Sequence, residues 1–124
     1  NLDPFKQHGD EALWFALESV QMKAAVREHG VGLLAVVTEY GENYSAGQRQ
    51  MLCLARALLR DTRVVCLDEA TASVDLETDK VMQDVIGTQF KTRTVLTIAH
   101  RINTIIDYDK VVCLDQGQLV RMDS

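Results

Sequence analysis

The stretch Asn43-Tyr44-Ser45-Ala46-Gly47-Gln48-Arg49-Gln50 decides how the rest of the chain is read. Ser45 stands three residues ahead of Gln48, the spacing of a capping box. Met51, Leu54, Ala55, Leu58 and Leu59 then recur at the helical period. The spacing predicts a helix from about Ala46 to about Arg60, roughly 22 Å long at 1.5 Å per residue. Its first turn carries a glycine, a hydroxyl and free backbone N–H groups, a place suited to an anion.

The bulk of the chain bounds what surrounds that helix. Its 124 residues amount to at most one ordinary domain, and 47% hydrophobic with 25% charged residues is a globular balance. No apolar run approaches the ~20 residues a bilayer span needs, so the segment is not expected to insert into a membrane. The first residue is Asn1 rather than Met, which predicts a piece of a longer polypeptide. A net charge of -5 with no basic block argues against nucleic acid as a partner. Cys53, Cys66 and Cys113 fall one per hydrophobic segment with no C-x-x-C pair. They read as small buried core residues in a reducing compartment.

Ahead of the helix, Asp10 precedes Leu13, Ala16, Leu17 and Val20 and is expected to cap a first helix. Met22, Ala25, Val26 and His29 suggest a second one, stopped by Gly30. Trp14 is expected to be partly buried, His29 to suit the end of the helix dipole, and His8 to be exposed. The run from Gly30 to Tyr44 reads as a connector with turns at Gly41 and Asn43.

After the helix, Val64-Val65-Cys66-Leu67 is a strand buried on both faces when helices cover it, and it ends on Asp68-Glu69. Thr71 to Asp75 is a loop, with Asp75 capping a helix through Val81, Met82, Val85 and Ile86 that Gly87 should stop. Thr94 to Ala99 is a second strand closed by His100, and a short helix follows through Ile102, Ile105 and Ile106. Lys110 to Leu114 is a third strand, turned back at Gln116-Gly117 as a hairpin. Strands alternating with helices place the chain in the α/β class.

Polar clusters at the C-terminal ends of two strands lie where open α/β sheets bind ligands. Carboxylates after Val, Cys and Leu must face water, a metal or a partner. Asp68 is placed to hold Mg2+ through water, and Glu69 to orient and deprotonate a water. His100 can contact a phosphate or fix a neighbouring carboxylate.

Ser45-Ala46-Gly47-Gln48, Val64 to Glu69, Ala72-Ser73-Val74-Asp75 and His100, in that order, closely resemble the second half of an ATP-binding-cassette nucleotide-binding domain. Asp75-Leu76-Glu77-Thr78, Gln89-Phe90 and Asn1-Leu2-Asp3-Pro4-Phe5 look more specifically like the second cassette of the C-subfamily, the multidrug-resistance-associated transporters. The resemblance implies a partial P-loop NTPase fold. Residues 1–62 would form a helical subdomain ending in the signature helix, and 63–124 the second part of the ATPase core, with a mostly parallel sheet and a C-terminal hairpin. It implies ATP and Mg2+ as cofactors, an opposing nucleotide-binding domain and transmembrane domains as partners, and a place on the cytoplasmic face of a membrane. Ser45, Ala46, Gly47 and Gln48 would touch the γ-phosphate of ATP held by the opposite cassette. Asp68 would hold the metal, Glu69 would be the catalytic base, Ser73 and Asp75 would belong to the D-loop crossing the dimer interface, and His100 would be the switch histidine.

Two departures accompany the likeness. Tyr44 and Ala46 replace the family's usual leucine and first glycine, whereas Gly47, the position expected to need unusual torsions, is retained. No G-x-x-x-x-G-K-[S/T] loop occurs in the 124 residues, so most of the triphosphate cradle is expected to lie before Asn1. The isolated chain is therefore expected to be inactive, and to expose apolar surface on Val64–Leu67 and Val95–Ile98. A catalytically silent nucleotide-sensing or regulatory cassette is the alternative reading. The presence of Asp68, Glu69 and His100 together argues against it.

Overall fold

The computed structural model describes residues 1–71 and 74–124. Helices fill the first half. Helix α1 (Asp10–Ser19) and the short α2 (Lys23–Glu28) precede two single turns of 3-10 helix, at Gly32–Leu34 and Glu39–Gly41. The long α3 (Ala46–Leu59) follows. Strand β1 (Val64–Asp68), α4 (Leu76–Gln89), β2 (Thr94–Ile98) and the one-turn α5 (Ile102–Ile105) make a β-α-β unit with an appended turn. β3 (Val111–Asp115) and β4 (Gln118–Asp123) close the chain as a hairpin. No helix among the described residues is long and apolar enough to cross a membrane.

The core lies where α1, α3 and α4 meet. Leu17, Met82, Val20 and Phe90 are almost fully buried there, with Ala16, Met51, Leu54 and Ala55 around them. These residues recur at three- and four-residue intervals along each helix, the stripe that buries one face. Arg93 locks the far end of α3, donating to the carbonyls of Ala57 at 3.0 Å and Leu58 at 3.2 Å. Those carbonyls have no partner within the helix, and a cation suits them. The same guanidinium lies 5.1 Å from the Phe90 ring centroid.

β1 and β2 pair in parallel from Val64 opposite Thr94 to Asp68 opposite Ile98. Only one face of this pair is covered. Val65 is buried, while Val64, Leu96 and Ile98 are 51%, 58% and 59% exposed. Burial on both faces is therefore not reached, and the expected exposed apolar surface is present. The hairpin β3–β4 forms a separate antiparallel sheet with a register shift between Cys113 and Leu114.

Several local expectations need correction. Cys53, Cys66 and Cys113 are exposed rather than buried. Cys66 lies on the uncovered face of β1 and Cys113 on a hairpin that leaves nearly all its side chains in solvent. Burial therefore gives no support to the reading of a reducing compartment. Gly9, not Asp10, is the N-cap of α1, and Asp10 sits in the first turn, where a negative charge favours the dipole. Gly87 does not stop α4, which continues to Gln89 because Val85, Ile86 and Phe90 carry the buried face past it. By contrast, Trp14 is partly buried beneath Arg27, and Asp75 caps α4 by accepting from the Thr78 N–H.

Candidate functional site

The connector ahead of α3 is built to deliver Ser45. The Asn43 side chain donates to the Val36 carbonyl at 2.9 Å and accepts from the Thr38 N–H at 3.1 Å, which closes a compact loop. Gly41 lies in the left-handed region at φ 66°, where a Cβ would also stand 2.9 Å from Arg49 Cδ. Only glycine fits that turn without displacing Arg49, whose Nη1 donates to the Tyr40 carbonyl at 3.3 Å. Tyr44, the departure from leucine, is buried, with its ring 4.9 Å from that of His29. Burial pushes its phenol above the usual tyrosine value.

The capping box forms as the spacing requires. Ser45 Oγ accepts from the Gln48 N–H at 3.1 Å, and Gln48 Oε1 accepts from the Ser45 N–H at 3.0 Å. This leaves the Ser45 hydroxyl proton and the Gln48 side-chain amide as donors. The N–H groups of Ala46 and Gly47 have no backbone partner among the described residues. The start of α3 thus offers four donors and the positive end of a helix dipole, an arrangement that fits an anion. Gly47 is helical and needs no unusual torsion, contrary to expectation. Its constraint is spatial, since a Cβ there would stand 3.2 Å from Thr78 Cγ2 on α4. That contact joins the start of α3 to the start of α4.

At the far side of the β-α-β unit, Glu69 and His100 come together, whereas Asp68 lines a separate cavity with Gln50 and Cys53. Glu69 continues the ladder by donating its N–H to the Ile98 carbonyl at 2.9 Å. Its φ of 48° is left-handed, a conformation that costs a residue with a Cβ about 1–2 kcal/mol. The turned backbone brings Glu69 Oε1 to 2.6 Å from His100 Nε2. Both side chains remain open to solvent, at 45% and 79% exposure. Asp68 is exposed and makes no side-chain hydrogen bond among the described residues. Among the described residues no group of three or more His, Cys, Asp or Glu side chains could hold a metal ion, so Asp68 would meet Mg2+ only together with phosphate oxygens.

Asp75 lies at the start of α4, and the Thr78 side chain and N–H hold its carboxyl below the ordinary 3.8. Ser73, expected to share its segment, lies outside the described residues. The two neighbours of this site that sequence reasoning missed are Arg101 and Asp79. Arg101 Nη1 reaches Asp79 Oδ2 at 3.3 Å, and Nη2 donates to the Val74 carbonyl at 3.1 Å. Asp79 falls one helical turn after Asp75 on an otherwise apolar face, and that charge among core positions was the available signal.

The sequence has counterparts among known proteins. The family described as ABC transporter matches residues 2–72. The metal resistance protein YCF1 of Saccharomyces cerevisiae is 54% identical over 125 residues, covering 100% of this chain and 8% of the relative. ATP-binding cassette sub-family C member 3 of Homo sapiens is 54% identical over 124 residues, again 100% and 8%. ATP-binding cassette sub-family C member 4 of Mus musculus is 52% identical over 123 residues, 99% and 9%. The chain thus spans less than a tenth of the length of these relatives. Its mixed helices and small sheets are those of a partial α/β P-loop NTPase domain of the ATP-binding-cassette type. The chain belongs to the ABC transporter family, and over its whole length it is similar to members of sub-family C.

Proposed function

We propose that this chain supplies the catalytic carboxylate and the signature helix of an ATP-hydrolysing cassette that drives export across a membrane. The observation that carries the reading is the contact of Glu69 with His100 at 2.6 Å, formed by a left-handed residue at the end of β1 beside the open carboxylate of Asp68. Proton removal from a water needs a carboxylate held in one orientation and still accessible, and Glu69 meets both needs.

In this reading Glu69 Oε2 accepts the proton of the attacking water, while His100 Nε2 holds Oε1 and keeps the carboxylate turned outward. Asp68 would hold Mg2+, and the ion would supply charge neutralisation at the phosphates. Ser45, Ala46, Gly47 and Gln48 present their donors to the triphosphate of an opposing cassette, and Asp75 lies along the shared boundary. Residues 1–62 act as a helical subdomain facing transmembrane domains, and 63–124 as part of the ATPase core at the cytoplasmic face. A cradle of backbone amides for the chain's own ATP would come from a segment carrying the phosphate loop that these residues lack.

The test joins the chain to a phosphate-loop segment from a sub-family C relative. Glu69→Gln should bind ATP as before while turnover falls about a thousandfold, the scale of removing a general base with its positioning. Undiminished turnover would remove Glu69 from this role.

A further inference from the structure

His100 is positioned by remarkably few of its own contacts if one counts only its ring: among the described residues the ring bonds to Glu69 alone. Its orientation therefore depends on the backbone beside it, and the next residue is the most heavily engaged side chain nearby. Arg101 divides its guanidinium between Asp79 on α4 at 3.3 Å and the Val74 carbonyl at 3.1 Å. Asp79 is only 7% exposed. A carboxylate that enclosed is costly unless paired, so the Arg101 fork is held there by a strong preference.

Asp79 is in turn fixed from its own element. Its N–H donates to the Asp75 carbonyl at 2.9 Å, and its Oδ1 accepts from Gln83 Nε2 at 3.4 Å. One guanidinium thus ties the end of β2, which carries His100, to both sides of the α4 N-cap. The tie needs a planar fork, because an ammonium is a point charge and cannot serve the two acceptors in the same geometry.

We propose that Arg101 and Asp79 are positioning residues that hold His100 against Glu69. The proposal rests on the role given to Glu69 and His100 above.

The test uses ring-nitrogen NMR of the 124-residue chain, in which His8 and His29 serve as internal references for His100. Glu69→Ala, which removes the acceptor, marks the His100 signals of the broken contact. Asp79→Asn and Arg101→Met should move the His100 signals toward those values and leave His29 unchanged. Arg101→Lys, which keeps the charge beside His100, should do so as well, and Asp79→Glu should restore much of the wild-type position. If Arg101→Met fails to fold, Asp79→Asn and Arg101→Lys decide the matter. Wild-type His100 signals in folded Asp79→Asn and Arg101→Lys chains would overturn the proposal. Signals that shift as expected, together with undiminished turnover in Glu69→Gln, would keep the clamp and remove the base; the opposite pair of results would do the reverse.

Discussion

Glu69 and Gly47 show two different ways in which a single backbone position serves this site. Glu69 accepts a strained torsion so that its carboxylate meets His100. Nothing in the local wording announces that torsion, because it is imposed by the ladder bond to Ile98 and the turn that follows. Gly47 was legible as a required glycine, but for the wrong reason. Its torsions are helical, and the constraint is the methyl of Thr78, which becomes visible only once α4 is packed beside α3. Alanine would gain about 1 kcal/mol in helix propensity and lose about 1–3 kcal/mol to crowding. Gly47→Ala should therefore be no more stable than wild type. In a Thr78→Ser background, which removes the methyl, the same change should stabilise by about 1 kcal/mol. Thermal melts of the four chains measure this directly, and equal effects in both backgrounds would deny the contact.

Elements were read well wherever a cap and a period agreed. The α3 start at Ser45 and the α4 cap at Asp75 follow from the placement of a short oxygen-bearing side chain before an apolar stripe. Ends were read less well. Gly87 lies inside α4 because burial of Phe90 outweighs the roughly 1 kcal/mol cost of a helical glycine. Gly9 takes the cap position expected of Asp10 with no side-chain bond, since Asp10 already lies within the helix. The Asp75 cap carries a pH signature. Its carboxyl is held below 3.8 by the Thr78 hydroxyl and N–H, so its stabilisation is present above the unfolded value and lost as pH falls through the folded one. Helical content should soften as pH falls below 3.8 more in wild type than in Asp75→Asn. Circular dichroism melts across that range provide the check, and parallel pH profiles would count against the cap.

The described residues form a packed helical core and a parallel pair of strands covered on one face only. The α/β class was legible from the alternation of strands and helices, and the residues of the candidate site from their order along the chain. The exposure of Cys53, Cys66 and Cys113 was not, because a run such as Val64-Val65-Cys66-Leu67 reports what a strand could bury rather than what stands next to it. The Arg101–Asp79 tie was equally hidden, since it joins residues 22 apart in sequence through a fold that brings α4 beside β2. Val64, Leu96 and Ile98 on the open face of the parallel pair, with Leu114 and Met122 on the hairpin, leave apolar surface that water disfavours. The purified chain should self-associate, and Leu96→Lys with Ile98→Lys should shift it toward monomer. Sedimentation velocity distinguishes the two, and a monomeric wild-type chain would contradict the expectation.

The open face of that pair and the lack of a G-x-x-x-x-G-K-[S/T] loop in these residues argue against a chain that hydrolyses ATP alone. On the proposed reading the chain's donors at Ser45 to Gln48 would serve a phosphate held elsewhere, and its carboxylates would serve a phosphate loop that these residues do not contain. The direct measurement is Mg-dependent ATP turnover by the purified 124-residue chain, beside the same chain joined to a phosphate-loop segment of a sub-family C relative. The account predicts no turnover from the first and measurable turnover from the second. Robust hydrolysis by the 124-residue chain alone would contradict it.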